Sequence, residues 1–227
     1  MPRRPRASTA QLVFHVLNRA VQGVTLFEAP ADYELFCGIL AEALRRFPVR
    51  LLAFVVMPNH WHLVVWPLDD TSLSLFMHWL TATHAAQWRS AKGTRGRGAV
   101  YQGRFKAIAV QHDRHLVRLC RYVERNPTRA RLVPRAEYWP WSSAAPTATL
   151  PGRPNLSAWP MPKPENWLEL LNVPEPARSL RDIRTAIKVG RHFGSASWRI
   201  RTARTLKWRS GLTMPGKPVV VDEALEL

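Results

Sequence analysis

Apolar positions alternate or recur at fixed spacing along most of the chain, and that pattern predicts its elements. Leu12 to Asn18 is a short β-rich run, and Ala31 to Phe47 carries Tyr33, Phe36, Ile39, Leu40 and Leu44 at helical spacing, with Asp32 placed to cap it. Pro48 stops that helix. Val49 to Met57 reads as a buried strand, Pro58-Asn59 as a turn, and His60 to Trp66 as its hairpin partner. A second helix fits Leu73 to Lys92, Gly93 to Gly98 is a basic loop, and Arg104 to Gln111 alternates as a further strand. The order β-α-β-β-α-β predicts an α+β fold, a ferredoxin-like or RRM-like sandwich with both helices on one face of an antiparallel sheet. The opposite face is expected to be free.

A third helix is expected from Asp113, its N-cap, with Leu116, Leu119, Cys120 and Val123 as its buried stripe and Pro127 as its end or kink. Residues 139–164, rich in Pro, Ser, Ala and Trp, read as a surface connector. Ala177 to Trp208 reads as two short basic helices split near Gly190 to Ser195. The chain thus divides into a basic arm (1–11), a catalytic-domain candidate (12–138) and a connector with a basic helical C-terminal extension (139–227).

Composition adds a partner class. Thirty-three Lys and Arg against sixteen Asp and Glu give a formal charge of +17, a field that concentrates polyanions and makes their binding salt-sensitive. Charge of this kind also suits a ribosome-associated or merely soluble basic protein. Cys37 and Cys120 lie in apolar helical patterns and read as reduced core thiols. No secretory signal and no membrane-length apolar run is apparent, so a soluble protein of the cytoplasm and nucleoid, without a membrane partner, is expected.

The strongest local signal is Met57-Pro-Asn-His60-Trp61-His62-Leu-Val-Val-Trp66. On a strand, alternate side chains share a face, so His60 and His62 project together while Trp61, Leu63 and Val65 point the other way. Two imidazoles so placed can hold one divalent cation and leave positions open for a phosphate oxygen; they can equally be a polar patch on a half-buried strand. On the third helix, Tyr122 and Asn126 lie one above the other at the border of the apolar stripe. Tyr122 is either a nucleophile or a boundary aromatic, and Asn126 either an oxygen ligand or an ordinary residue before a proline. His115, seven residues before Tyr122, is placed to touch DNA or to stand exposed.

The phrases MPNHWHLVVWP and YVERNPTRARLV resemble the two signatures of the IS200-like tyrosine (HUH) transposases, and more closely the REP-associated branch. Phe14 to Arg19, Tyr101 to Phe105, Trp141-Ser142-Ser143 and Gly190 to Ser195 are similar to further phrases of that branch. The resemblance implies His60 and His62 as the metal pair, Tyr122 as nucleophile and Asn126 as a further ligand, with Mg²⁺ or Mn²⁺ as the ion. It implies cleavage and rejoining of single-stranded or hairpin DNA through a 5′-phosphotyrosine, in transposition. Phosphate contacts are expected from Arg95, Arg97, Arg104, Lys106, Arg118 and Arg129. Arg131 departs from the family, which often has glycine there.

Other readings compete. A non-catalytic hairpin-binding regulator on the same fold predicts binding without cleavage. An RRM-like RNA module lacks its aromatic strand here. Replication initiators and relaxases share the two-histidine chemistry in a different tyrosine context. A monomer is slightly preferred to a homodimer.

Overall fold

The computed structural model describes residues 9–10, 12–96, 98–146 and 152–206. Four strands, β1 (Val13–Arg19), β2 (Val49–Met57), β3 (His60–Pro67) and β4 (Lys106–Val110), form one antiparallel sheet in the order β2-β3-β1-β4. With α1 (Pro30–Arg46) and α2 (Ser72–Ala91) between them, this is the expected ferredoxin-like βαββαβ sandwich. Alternation drives the layering. Phe14, Val16, Phe54, Val56, Trp61, Leu63 and Val65 pack under α1 and α2, whereas Val13, Ala53, Val55, Val64, Ile108 and Val110 face the other way.

Asp32 does not cap α1. Ala29 is the cap, and the Asp32 carboxylate reaches back to accept the backbone N–H groups of Glu28 and Ala29. Thr9 and Ala10, read as part of a loose arm, are pinned: Thr9 N–H donates to Asp70 Oδ1 at 2.6 Å and Trp66 Nε1 to the Ala10 carbonyl at 2.9 Å. The rest of the arm, Arg97 and the chain beyond Leu206 lie outside the described residues.

The second sheet face is not free. Helix α3 (Arg114–Glu124), capped by Asp113, lays Leu116, Leu119, Cys120 and Val123 on it, each fully buried. Each buried leucine there contributes roughly 1.5–3 kcal/mol. After α3 the chain makes one more turn, α4 (Asn126–Arg129), with Pro127 inside it, then a 3-10 turn at Ala136–Tyr138. Helices α5 (Trp167–Asn172), α6 (Ala177–Val189) and α7 (Ala196–Leu206) follow, of which α5 had no sequence signal. Trp167, Leu171, Ile183, Ala186 and Phe193 close the same core as α3, so the segment after the connector packs into the fold.

Both sheet edges are covered by late segments. Beside β2, Trp141 carbonyl accepts Val56 N–H, Ser143 N–H donates to Phe54 carbonyl, and Trp139 and Trp159 indoles donate to Val56 and Leu52 carbonyls. Beside β4, Phe193 N–H donates to Ala109 carbonyl and Gln111 N–H to Phe193 carbonyl. Exposed edges are templates for aggregation, and here they are spent internally. Gly194 permits the β4 contact, because a Cβ there would sit 2.4 Å from the Trp198 ring and 2.9 Å from Gln111.

Candidate active site

The β2-β3 hairpin sets the histidines. Its turn is fixed from outside: Pro58 carbonyl accepts Leu26 and Phe27 N–H, and Asn59 carbonyl accepts Ala20 N–H. His60 lies opposite Met57 and Arg19, and His62 opposite Val55 and Leu17, so both rings stand on the α3 face with centroids 5.1 Å apart. Trp61 points into the other core, where its indole N–H donates to Tyr101 Oη at 3.2 Å and that hydroxyl pairs with His84 Nδ1 at 2.7 Å. The strand is therefore locked from behind.

Each imidazole has a backing partner on Nδ1. His60 Nδ1 lies 2.7 Å from Asn59 Oδ1, and His62 Nδ1 lies 2.9 Å from His15 Nε2. The Asn59 oxygen can only accept, so His60 carries its proton on Nδ1 and keeps Nε2 as its lone-pair nitrogen, while the His15 contact holds the orientation of the His62 ring. Burial lowers His15 to about 3. Burial, then the charges of Arg19 and Arg129, lowers His60 to about 4; burial, then His15, His60 and Arg129, holds His62 well below the usual range. All three are neutral at physiological pH, the form that binds metal. Among the described residues no set of three or more His, Cys, Asp or Glu converges to hold an ion. The donor set fits an incomplete site of two imidazole nitrogens.

Tyr122 lies deeper than the border expected for it: it is buried in the α3 core, its ring edge-on to His62 with centroids 6.0 Å apart. The Arg129 guanidinium covers that ring at 4.2 Å and donates from Nη2 to the Tyr122 carbonyl at 2.8 Å. Asn126 turns its Nδ2 toward the carbonyls of Tyr122 and Val123, at 3.3 and 3.4 Å, so Oδ1 is the atom it could offer to an ion.

The expected phosphate contacts separate. Arg104 is exposed, and exposed Arg95 donates to Ser90 Oγ. Lys106 pairs with Leu17, which also pairs with His62, so it shares the histidine face two strands away. Arg118 is held by Ser179 Oγ at 2.9 Å and Asp182 at 3.1 Å, and Arg129 by Glu175 at 3.0 Å. Arg97 falls outside the described residues. His115 is buried, bonded to Asp113 and edge-on to Phe193, so it is structural rather than exposed.

Residues with no assigned role also enter. His15 and Arg19 occupy the histidine face of β1, a placement only strand register reveals. Glu124, two residues past Tyr122, is fully buried; burial raises its carboxyl, while Ser143 Oγ and Trp167 Nε1 donate to it.

A solved structure described as a REP-associated tyrosine transposase bound to a REP hairpin is similar at 20% identity with a TM-score of 0.49, covering 63% of this chain and 81% of that one. No curated protein matches significantly. Residues 8–126, more than half of the chain and spanning both the histidine hairpin and Tyr122, match the family described as "Transposase IS200 like". The protein belongs to the IS200-like transposase family.

Proposed function

We propose that the protein is a single-strand DNA endonuclease and strand transferase acting on hairpin DNA in transposition, with Tyr122 as nucleophile. One observation carries the reading: a buried tyrosine ring stands edge-on to one of two neutral, backed histidines that share a sheet face. The Tyr122 oxygen attacks the scissile phosphorus in line. The Tyr–O–P bond forms as the bond to the 3′ oxygen breaks, and the phenolic proton passes through the site to the departing 3′ oxygen. The product is a 5′-phosphotyrosine and a free 3′-hydroxyl, and the reverse attack by a 3′-hydroxyl rejoins strands. One phosphodiester replaces another, so no nucleotide cofactor is required.

His60 and His62 through Nε2, with Asn126 Oδ1, would hold a divalent ion, Mg²⁺ or Mn²⁺, which when bound offsets charge on the phosphate and helps ionise the phenol. A free phenol is only about a thousandth ionised at neutral pH, so such help is needed. Arg19 and Lys106 on the same face, with exposed Arg95 and Arg104, are suited to guiding the DNA backbone. Nucleophile and histidines come from one chain, which supports a monomer that cuts without a partner's residues.

The test is a labelled single-stranded hairpin library with Mg²⁺ or Mn²⁺, comparing wild type with Tyr122→Phe. A covalent protein–DNA adduct made only by wild type is the expected result. Equal hairpin binding with no cleavage by either protein would replace the enzyme with a hairpin-binding regulator.

A further inference from the structure

Glu175 belongs to the loop between α5 and α6, over fifty residues beyond Tyr122 in sequence, yet it reaches the underside of the tyrosine helix. Its side chain is 3% exposed, and Oε2 stands 3.0 Å from Arg129 Nη1 and 3.4 Å from Arg125 Nε. The segment leading to it is tied to the same helix, because Arg125 donates to the Leu171 and Val173 carbonyls and Arg121 to Val173 carbonyl at 2.7 Å. Arg129 is thereby fixed at both ends, to Glu175 through Nη1 and to the Tyr122 carbonyl through Nη2, with its plane over the phenol ring. A guanidinium lies over the ring, and His62 stands against it nearly perpendicular, at 78°.

We infer that Glu175 is a positioning residue for the nucleophile, acting by holding Arg129 on the Tyr122 ring. The inference rests on Tyr122 being the nucleophile. An arginine that stacks and donates in two directions at once needs its planar fork, and a buried guanidinium without a carboxylate swings toward water or DNA. One carboxylate also serves two guanidiniums, Arg125 and Arg129. Neutralising it makes the site more cationic, so DNA binding is kept or tightened while the chemical step slows. A purely structural loss weakens both.

The test uses the full chain with Glu175→Gln, Arg129→Ala and the double variant. Glu175→Gln keeps the side-chain shape, and thermal melting checks that each variant folds. Expected for Glu175→Gln are hairpin Kd unchanged or tighter, single-turnover adduct formation about tenfold slower or more, and no further slowing when it is added to Arg129→Ala. Multiplicative effects, wild-type adduct rates, or weakened binding in step with slower cleavage overturn the inference. A second readout needs no catalysis. In protein labelled with 3-fluorotyrosine, the ¹⁹F signal assigned by Tyr122→Phe is expected to move or broaden in Glu175→Gln while the Tyr33 signal stays. An unmoved Tyr122 signal overturns the clamp alone, whereas a wild type that never forms an adduct overturns the nucleophile.

Discussion

His15 Nε2 lies 2.9 Å from His62 Nδ1, so an imidazole from β1 backs the imidazole that faces Tyr122. His15 sits too deep to meet DNA, since it is fully buried. Its effect on the site is to hold its neighbour's ring in place.

Removing that partner is expected to weaken metal binding without removing a ligand. For His15→Ala, isothermal titration with Mn²⁺ is expected to show affinity reduced about 10- to 100-fold, the range for loss of a backing hydrogen bond. Excess Mn²⁺ then recovers adduct formation in His15→Ala but not in His62→Ala. An unchanged Mn²⁺ isotherm would dismiss the backing role.

Acid is expected to destabilise the metal-free protein through its buried imidazoles. Burial holds His15 near 3 and His84 near 4, both below the 6.5 of an unfolded chain. As pH falls, the unfolded state therefore takes up these protons first. Stability is whole above about pH 6.5 and is lost downward, at about 1.4 kcal/mol per pH unit for each histidine, until about pH 4 for His84 and pH 3 for His15. Denaturant melts from pH 7.5 to 4.5 measure this, and a flat midpoint across that range contradicts it.

Arg131 occupies a left-handed conformation at φ 56. It ends α4 in a Schellman-type turn, with Leu132 N–H donating to Pro127 carbonyl and Arg131 N–H to Thr128 carbonyl. A side chain there costs about 1 kcal/mol that glycine avoids. Arg131→Gly is expected to raise stability by roughly that amount, read as a higher Tm at constant adduct rate. A lower Tm would show that the arginine side chain contributes more than its backbone strain costs.

Gly194→Ala makes the opposite change. Its Cβ meets the Trp198 ring and Gln111, and relief requires the segment to lift from β4. A destabilisation of about 1–3 kcal/mol by urea titration is expected, as for other overpacked sites. Wild-type stability would mean that Trp198 simply turns aside.

The sandwich was legible because each strand alternates and each helix repeats cleanly, and His60, His62 and Trp61 divide between faces as that alternation requires. The reading of a free second face failed for an identifiable reason. Val13, Val55, Val64 and Ile108 are as apolar as the residues of the first face, so that side also demanded a cover, and the stripe on α3 supplies it. Helix geometry alone left Tyr122 at a border, because its burial comes from Arg129 and His62, which lie on other elements. Arg118 and Arg129 were expected as phosphate contacts by charge alone. The carboxylates that hold them, Asp182 and Glu175, sit 64 and 46 residues away, where periodicity says nothing.

The coverings of the two sheet edges bear on the order in which the chain can mature. Segments around Trp141 and Phe193 complete β2 and β4, and Glu175 reaches the tyrosine helix between them in sequence. During synthesis the histidine hairpin emerges early, but its sheet keeps raw edges and the Arg129 side chain lacks its carboxylate until the extension has left the ribosome. A nascent or truncated chain therefore carries the chemical groups without the frame that holds them.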